Sequence, residues 1–207
     1  MFEWLNPKPA LSDFDKQLIA SNLTGAKDLA ELKARETTLS AIRSFELKQN
    51  PIKGEFDYAH LKSIHRHIFK DIYVWAGMDR YEIGLRGDFR KGDSFFTTGS
   101  KLPTVAKALF EELKKENYFK DLKREQYIKS FASFMNGLNI LHPFREGNGR
   151  VQRIFLEELA KFANWDLNLT IVNANTMIQA SIMAHKGNSK GLEIIIRNNL
   201  HKKENNA

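Results

Sequence analysis

The chain has 207 residues, of which 42% are hydrophobic and 28% are charged, a composition typical of one globular domain. The net charge is +7, and because the charges are scattered along the chain, they permit a polyanionic partner without requiring one. The lack of cysteine excludes disulfides, cysteine-ligated metals and a thiolate nucleophile, and no apolar run approaches the ~18 residues of a membrane span, so we expect a soluble domain.

Helical periodicity dominates the chain after a short lead-in. Residues 1–26 predict a loosely ordered segment with one short turn of helix, residues 27–200 a single all-α bundle, and residues 201–207 a polar tail. Seven predicted helices follow in order, marked by Leu29, Leu32, Leu39 and Ile42; by Leu61, Ile64, Ile68 and Phe69; by Val105, Leu109, Phe110 and Leu113; by Tyr127, Ile128, Phe131, Phe134, Met135, Leu138 and Leu141; by Val151, Ile154, Phe155 and Leu159; and by segments near 174–185 and 190–200.

The gap between the second and third predicted helices, residues 78–101, is rich in glycine and lacks periodicity. Its segment Asp93–Thr97 suits a short strand, which predicts a small β-hairpin flap near residues 80–98. Loops of this length inside a compact domain are uncommon and are often functional. We therefore expect the flap residues Ser94, Phe95, Phe96 and Thr97 to take part in function.

The turn between the fourth and fifth predicted helices, residues 142–153, has the sequence HPFREGNGRVQR. Pro143 forces His142 out of helical geometry, so the fourth helix ends there. Asn148 is a good N-cap for the helix that follows, and the flanking Gly147 and Gly149 allow close approach of a ligand to the backbone. The start of a helix, with free N–H groups and a positive dipole end, predicts an anion site.

Charged side chains of the same run complete the expected chemistry. Arg150 and Arg153 are three residues apart and share a helix face, which suits an oligophosphate. The Glu146 carboxylate is placed to hold Mg²⁺ with help from phosphates and water. His142 is the one obvious general base, because an imidazole titrates near neutrality.

This run resembles the signature of the Fic family of AMP transferases, His-x-Phe-x-(Asp/Glu)-Gly-Asn-Gly-Arg-x-x-Arg, at every specified position. Further similarity covers about residues 27–200, including the stretches 61–69 and 71–77. The resemblance implies a Fic-type helical bundle with a flap, and a nucleotidyltransferase that transfers AMP from ATP to a Ser, Thr or Tyr hydroxyl of a target protein.

The resemblance also implies a role for each motif residue. His142 would take the proton of the attacking hydroxyl, and Glu146 would hold Mg²⁺ between the α- and β-phosphates. Gly147, Asn148 and Gly149 would form the anion hole. Arg150 would contact phosphate, and Arg153 would anchor the γ-phosphate. The flap residues would align the target segment by strand pairing.

The sequence is also compatible with other functions and with other roles for single residues. One is the phosphotransferase branch of the family, which carries Lys at the second glycine of the signature, so Gly149 disfavours it. Another is a catalytically silent nucleotide-sensing or DNA-binding regulator, which the net charge allows, although we expect no nucleic-acid partner. A metal site at His60, His65 and His67 is disfavoured because His65 and His67 point to different helix faces, and we interpret His65 as structural. Arg153 could also pair with Glu157 on the helix surface.

Regulation is predicted from a departure from the family pattern. Many members carry an inhibitory helix with the sequence (Ser/Thr)-x-x-x-Glu-(Gly/Asn), whereas the nearest candidate here, Ser189–Ile194, fails at its last position. We expect no internal inhibitory helix, and a small antitoxin-like protein that supplies a Glu to Arg153. The chain would then act as a bacterial toxin or effector in the cytoplasm, or in a host cytoplasm after delivery.

Overall fold

The computed structural model describes residues 11–92 and 94–203, so parts of the predicted lead-in and tail, and Asp93 of the predicted strand, lie outside the described residues. The helices are α1 (Asp13–Ala20), α2 (Leu29–Gln49), α3 (Tyr58–Phe69), α4 (Leu102–Lys115), α5 (Arg124–Leu141), α6 (Asn148–Phe162), α7 (Ala174–His185) and α8 (Lys190–Asn199). The strands are β1 (Phe89–Lys91), β2 (Ser94–Phe96), β3 (Trp165–Leu167) and β4 (Leu200–Lys202).

The predicted α-helical bundle with a β-flap is confirmed. The apolar stripes of α3 and α5 pack against α6 and form a continuous core in which Ile64, Phe131 and Phe155 are fully buried. Because each stripe recurs every three or four residues, one face of each helix is removed from water while the other stays hydrated. The core therefore fixes α5 and α6, and with them the turn that joins them.

The hairpin is antiparallel, with Phe89 opposite Phe96 and Lys91 opposite Ser94. It lies against the end of α5, because the Thr97 N–H donates to the Ile140 carbonyl (2.9 Å) and the Thr97 hydroxyl to the same oxygen (3.2 Å). The flap is thus fastened to the helix that ends at the motif.

Both chain ends contain more regular structure than the sequence predicted. The lead-in holds α1, which is eight residues long and is capped by the Ser12 hydroxyl. The buried Arg145 of the motif fastens this helix by donating to the Phe14 carbonyl (2.6 Å) and the Gln17 side chain (2.9 Å). At the other end, β4 pairs with β3 in a second antiparallel hairpin, a pairing between distant segments that local patterns do not reveal.

Candidate active site

The motif turn is closed by its own side chains. His142 follows α5 in the left-handed region (φ 40°), and Gly147 (φ 81°) is the N-cap of α6. The prediction of Asn148 as N-cap is wrong: it is the first helical residue, and its buried amide accepts from the Phe144 N–H (2.9 Å) and donates to the Phe144 carbonyl (2.6 Å). A buried amide is most stable with both its ends bonded, and these bonds hold the turn in shape. Within residues 11–92 and 94–203, no side chain caps the start of α6.

His142 is almost fully buried, and its ring stacks on Phe96 of the flap at 3.9 Å between centroids. Among the described residues, neither ring nitrogen has a partner within hydrogen-bonding distance. Burial, followed by the cations Lys91 and Arg80, lowers the pKa of His142 to about 3, although the Asn139 carbonyl acts in the opposite sense. The imidazole is therefore neutral near pH 7 and can accept a proton.

Glu146 lies beside the start of α6, where its Oε1 accepts from the Gly147 N–H (2.9 Å). Lys91 of the flap places its Nζ 3.9 Å from Oε2, and Arg150 lies 3.9 Å from Oε1. From the opposite side, the buried His65 approaches the Glu146 carbonyl with Nε2 at 3.3 Å. The carboxylate thus lies between two cations and remains partly exposed.

The two motif arginines have different surroundings. Arg150 is bound to α2, where it pairs with Glu36 and donates to the Ser40 hydroxyl (2.8 Å). Arg153 has no carboxylate within 4 Å in the described part of the chain. Its predicted alternative partner, Glu157, instead accepts from the Leu169 N–H (2.8 Å). Of Arg150 and Arg153, the two arginines of the Fic-like signature, Arg153 is therefore the one without a carboxylate partner among the described residues.

These groups meet in a cavity of 710 Å³ between the flap, the motif and α7, a size within the roughly 300–1,000 Å³ typical of small-ligand sites. Its lining includes His142, Glu146, Gly147, Gly149, Arg150, Arg153, Lys91, Ser94 and Phe96, together with Met135, Leu156, Met177, Ile178 and Ile182. The charged residues come from the motif and the flap, whereas α7 supplies an apolar wall. The cavity is therefore suited to a ligand that is anionic at one end and apolar at the other.

The other predicted flap residues point elsewhere. Phe95 is 59% exposed, and Thr97 is hydrogen-bonded to the end of α5 and does not line the cavity. Sequence reasoning missed Lys91, Glu36 and Arg80, which reach the motif from distant segments. Of these three residues, only Glu36 could have been found from the sequence, because Glu36 and Ser40 are polar, four residues apart on α2, and interrupt its apolar pattern.

Comparison with known proteins places the chain in a family. The sequence model described as the Fic/DOC family matches residues 55–160. The protein adenylyltransferase VbhT of Bartonella schoenbuchensis is 37% identical over 179 residues, which are 86% of this chain and 36% of VbhT. The probable protein adenylyltransferase y4lH of Sinorhizobium fredii is 33% identical over 145 residues, or 70% of this chain and 73% of that protein. The chain thus spans about a third of VbhT and most of y4lH.

Solved structures of Bartonella effector proteins are also similar to this chain. The VirB-translocated effector BepC of Bartonella tribocorum, with bound AMPPNP, superposes with a TM-score of 0.81 at 27% identity, covering 88% of this chain and 92% of that one. An N-terminal Fic domain from Bartonella quintana, with bound ADP, gives a TM-score of 0.79 at 27% identity, covering 88% and 91%. Both similar structures hold an adenine nucleotide.

Proposed function

This chain belongs to the Fic/DOC family, and we propose that it is a protein adenylyltransferase that transfers AMP from ATP to a Ser, Thr or Tyr hydroxyl of a target protein. One observation carries the proposal: a single cavity holds a neutral imidazole, a carboxylate and a helix N-terminus that no side chain of the described residues caps. Adenylyltransferase names among the relatives and adenine nucleotides in the similar structures support it.

The polar and apolar parts of the cavity would bind different parts of a nucleotide. The triphosphate would lie at the start of α6, where Gly149 leaves open space beside the backbone. Arg153, which has no carboxylate partner in the described ranges, would offer its guanidinium to the γ-phosphate. Gly147 and Asn148 would act there through their backbone. Arg150 would reach phosphate only from its pair with Glu36, so its contribution should be smaller. The base would pack on Met177 and Ile178 of α7.

His142 would act as the general base. Its neutral ring accepts the proton of the target hydroxyl while the hydroxyl oxygen forms a bond to the α-phosphorus. The bond from that phosphorus to the oxygen bridging to the β-phosphate breaks, and pyrophosphate leaves. The negative charge of bound ATP raises the pKa of the imidazole from its low value in the free protein, which makes His142 a stronger base when the substrate is present.

Glu146 fits a magnesium ion that arrives with ATP. Mg²⁺ typically takes one or two protein oxygens and completes its shell with phosphates and water, so a single carboxylate beside the triphosphate would be enough. Glu146 would hold it through the oxygen that Gly147 leaves available. When bound, the ion supplies charge neutralisation at the phosphates. Lys91, 3.9 Å from this carboxylate, partly fills that electrostatic role in the free protein.

The target segment would lie along the flap, where Ser94, Phe95 and Phe96 present a short strand beside His142. Strand addition uses main-chain hydrogen bonds, so it aligns a hydroxyl with the base without requiring a particular sequence. Thr97 would hold the flap beside His142 through its hydrogen bond to the end of α5.

A separate inhibitory protein would suit this site. Glu193, the nearest internal candidate, lies in α8 and is not part of the cavity lining, whereas Arg153 lies in the cavity without a carboxylate among the described residues. An antitoxin-like partner would supply that carboxylate, and the chain would act as a toxin or effector in a bacterial or host cytoplasm. No helix in the described ranges is long and apolar enough to cross a membrane. Full labelling activity in a Glu193→Ala variant but none in the wild-type chain would contradict the separate partner.

The test is mass spectrometry of a cell lysate treated with the chain and N6-modified ATP. We expect AMP on hydroxyl side chains of one or a few proteins, and loss of at least about 10²-fold in His142→Ala. His67→Ala is the matched control, because His67 lies on α3 with its ring bonded to Glu46 and outside the cavity lining. Undiminished labelling by His142→Ala, or transfer of a group other than AMP, would contradict the proposal.

A further inference from the structure

Arg80 is a fully buried cation in the segment between α3 and β1. No carboxylate lies within 4 Å of its guanidinium in the described ranges. Instead, its Nε donates to the His142 carbonyl (3.0 Å), and its Nη2 donates to the Thr97 (2.6 Å) and Leu141 (3.3 Å) carbonyls. The Cζ of the guanidinium lies 4.6 Å from the centre of the Phe89 ring. One side chain thus links the flap to the end of α5.

These bonds satisfy the end of α5. The last carbonyls of a helix lack partners within it, and a cation there interacts favourably with the helix dipole. Arg80 occupies the Leu141 and His142 carbonyls by its side chain and the Pro143 carbonyl by its backbone N–H (2.8 Å). His142 meanwhile has a left-handed backbone (φ 40°), which a residue with a Cβ resists. The backbone conformation of the proposed base therefore depends on this contact.

Burial of a cation without a carboxylate is unfavourable, and an apolar side chain of similar size would fill the same space more easily. The geometry of arginine explains its presence. A planar fork donates in several fixed directions at once, whereas the ammonium of lysine is a single point. Here the fork spans carbonyls from two separate segments, the flap at Thr97 and the helix end at Leu141 and His142.

We propose that Arg80 is a positioning residue for AMP transfer, which locks the flap and the imidazole of His142 into one unit. This inference rests on the proposed function. Phe96, which precedes Thr97, stacks on the imidazole at 3.9 Å, so a shift of the flap moves the ring. Arg80 would therefore govern the alignment of base and target. Nucleotide binding, which depends on the start of α6 and on Arg153, would be largely independent of it.

The test compares Arg80→Lys with Arg86→Lys. Arg86 is the matched control, because it lies six residues further on and its exposed guanidinium also stacks on an aromatic ring, that of Tyr81, at 4.5 Å. For each variant three quantities are measured: the dissociation constant of AMPPNP by calorimetry, the rate of AMP incorporation into lysate proteins, and the hydrogen exchange rate of the Thr97 amide.

For Arg80→Lys we expect the labelling rate to fall at least about tenfold, since misplacement by ~1 Å can lower a rate by about 10²-fold. The AMPPNP dissociation constant should stay within about threefold of wild type, and the Thr97 amide should exchange at least about tenfold faster, because a single ammonium cannot hold both segments. Arg86→Lys should match wild type in all three. A fall in rate matched by an equal loss of AMPPNP affinity would show a merely structural role and overturn the proposal.

Phe89→Leu gives a second route if Arg80→Lys does not fold. It removes the ring that supports the guanidinium and leaves every carbonyl acceptor in place, so the Thr97 amide should exchange faster, by a smaller factor. Unchanged Thr97 exchange in both variants overturns the proposal. If the wild-type chain labels no protein, the proposed function fails, but the exchange measurement still decides whether Arg80 holds the flap.

Discussion

Replacing His65 by glutamine should remove a large part of the protein's sensitivity to acid. The ring is fully buried and stacks on Phe144 at 3.9 Å. Its Nδ1 accepts from the Gly77 N–H (2.8 Å), so Nδ1 carries no proton, and Nε2 is then the atom that donates to the Glu146 carbonyl (3.3 Å). Protonation would break the first bond and place a charge in the core. The fold therefore requires a neutral ring.

The magnitude follows from the difference between the folded and unfolded states. Burial lowers the pKa of His65 from 6.5 to about 3, partly opposed by the Glu146 carbonyl. Below about pH 6.5 the unfolded chain binds a proton that the folded chain refuses, so stability falls as the pH falls. Between about pH 7.5 and pH 5.0 this amounts to roughly 1.5 pH units at 1.36 kcal/mol each, or about 2 kcal/mol.

The assay is urea unfolding of wild type and His65→Gln at both pH values. Other groups also titrate: burial lowers the pKa of His142 to about 3 and raises that of Glu158 to about 7, and these act in opposite directions. Their contributions cancel when the pH-dependent change of one protein is subtracted from that of the other. We expect wild type to lose about 2 kcal/mol more than His65→Gln on acidification. His67→Gln measures the background of losing an imidazole from the same helix. If wild type and His65→Gln lose stability equally, the neutral-ring argument is wrong.

Three further predictions concern the cavity. Gly147→Ala should lower the free energy of unfolding by about 2–4 kcal/mol in urea titrations, because a Cβ would lie 2.2 Å from the Phe69 ring and φ is 81°. Gly149→Ala should leave unfolding unchanged, since nothing lies within 4 Å of its Cβ, but should weaken AMPPNP binding in calorimetry because the methyl group enters the phosphate site. In Lys91→Ala the pH at which kcat/KM for AMP transfer falls on the acidic side should be higher than in wild type, because the Lys91 cation lowers the pKa of His142. An acidic fall at the same or a lower pH would contradict this.

The fold was predictable where its causes are local. The stripes of α3, α5 and α6 repeat at the helical period, so each helix and its buried face follow from the sequence. Pro143 marks the end of α5 for a steric reason that needs no tertiary contact. The pairing of β3 with β4 joins segments 33 or more residues apart in the chain, and no local pattern indicates it.

The site was predictable as a set of chemical groups but not as a set of contacts. The motif places a base, a carboxylate and a helix start together because one short turn contains them all. The contacts differ from the prediction in two ways: Glu36 on the distant α2 pairs with Arg150, and within the motif Asn148 bonds to Phe144 instead of capping α6. A capping preference is small beside the need to satisfy a buried amide, so burial decided the outcome.

The motif therefore combines two groups of residues, one that shapes the turn and one that carries the charges of the site. Phe144, Gly147 and Asn148 are buried and shape the turn, whereas Glu146 and Arg153 reach the cavity with charge available for a ligand. The second group could change without unfolding the turn, because none of its side chains fills the core. A chain that retained only the shaping residues would keep the fold and lose the chemistry. The presence of both groups here is thus an argument for an active enzyme that is stronger than the fold alone.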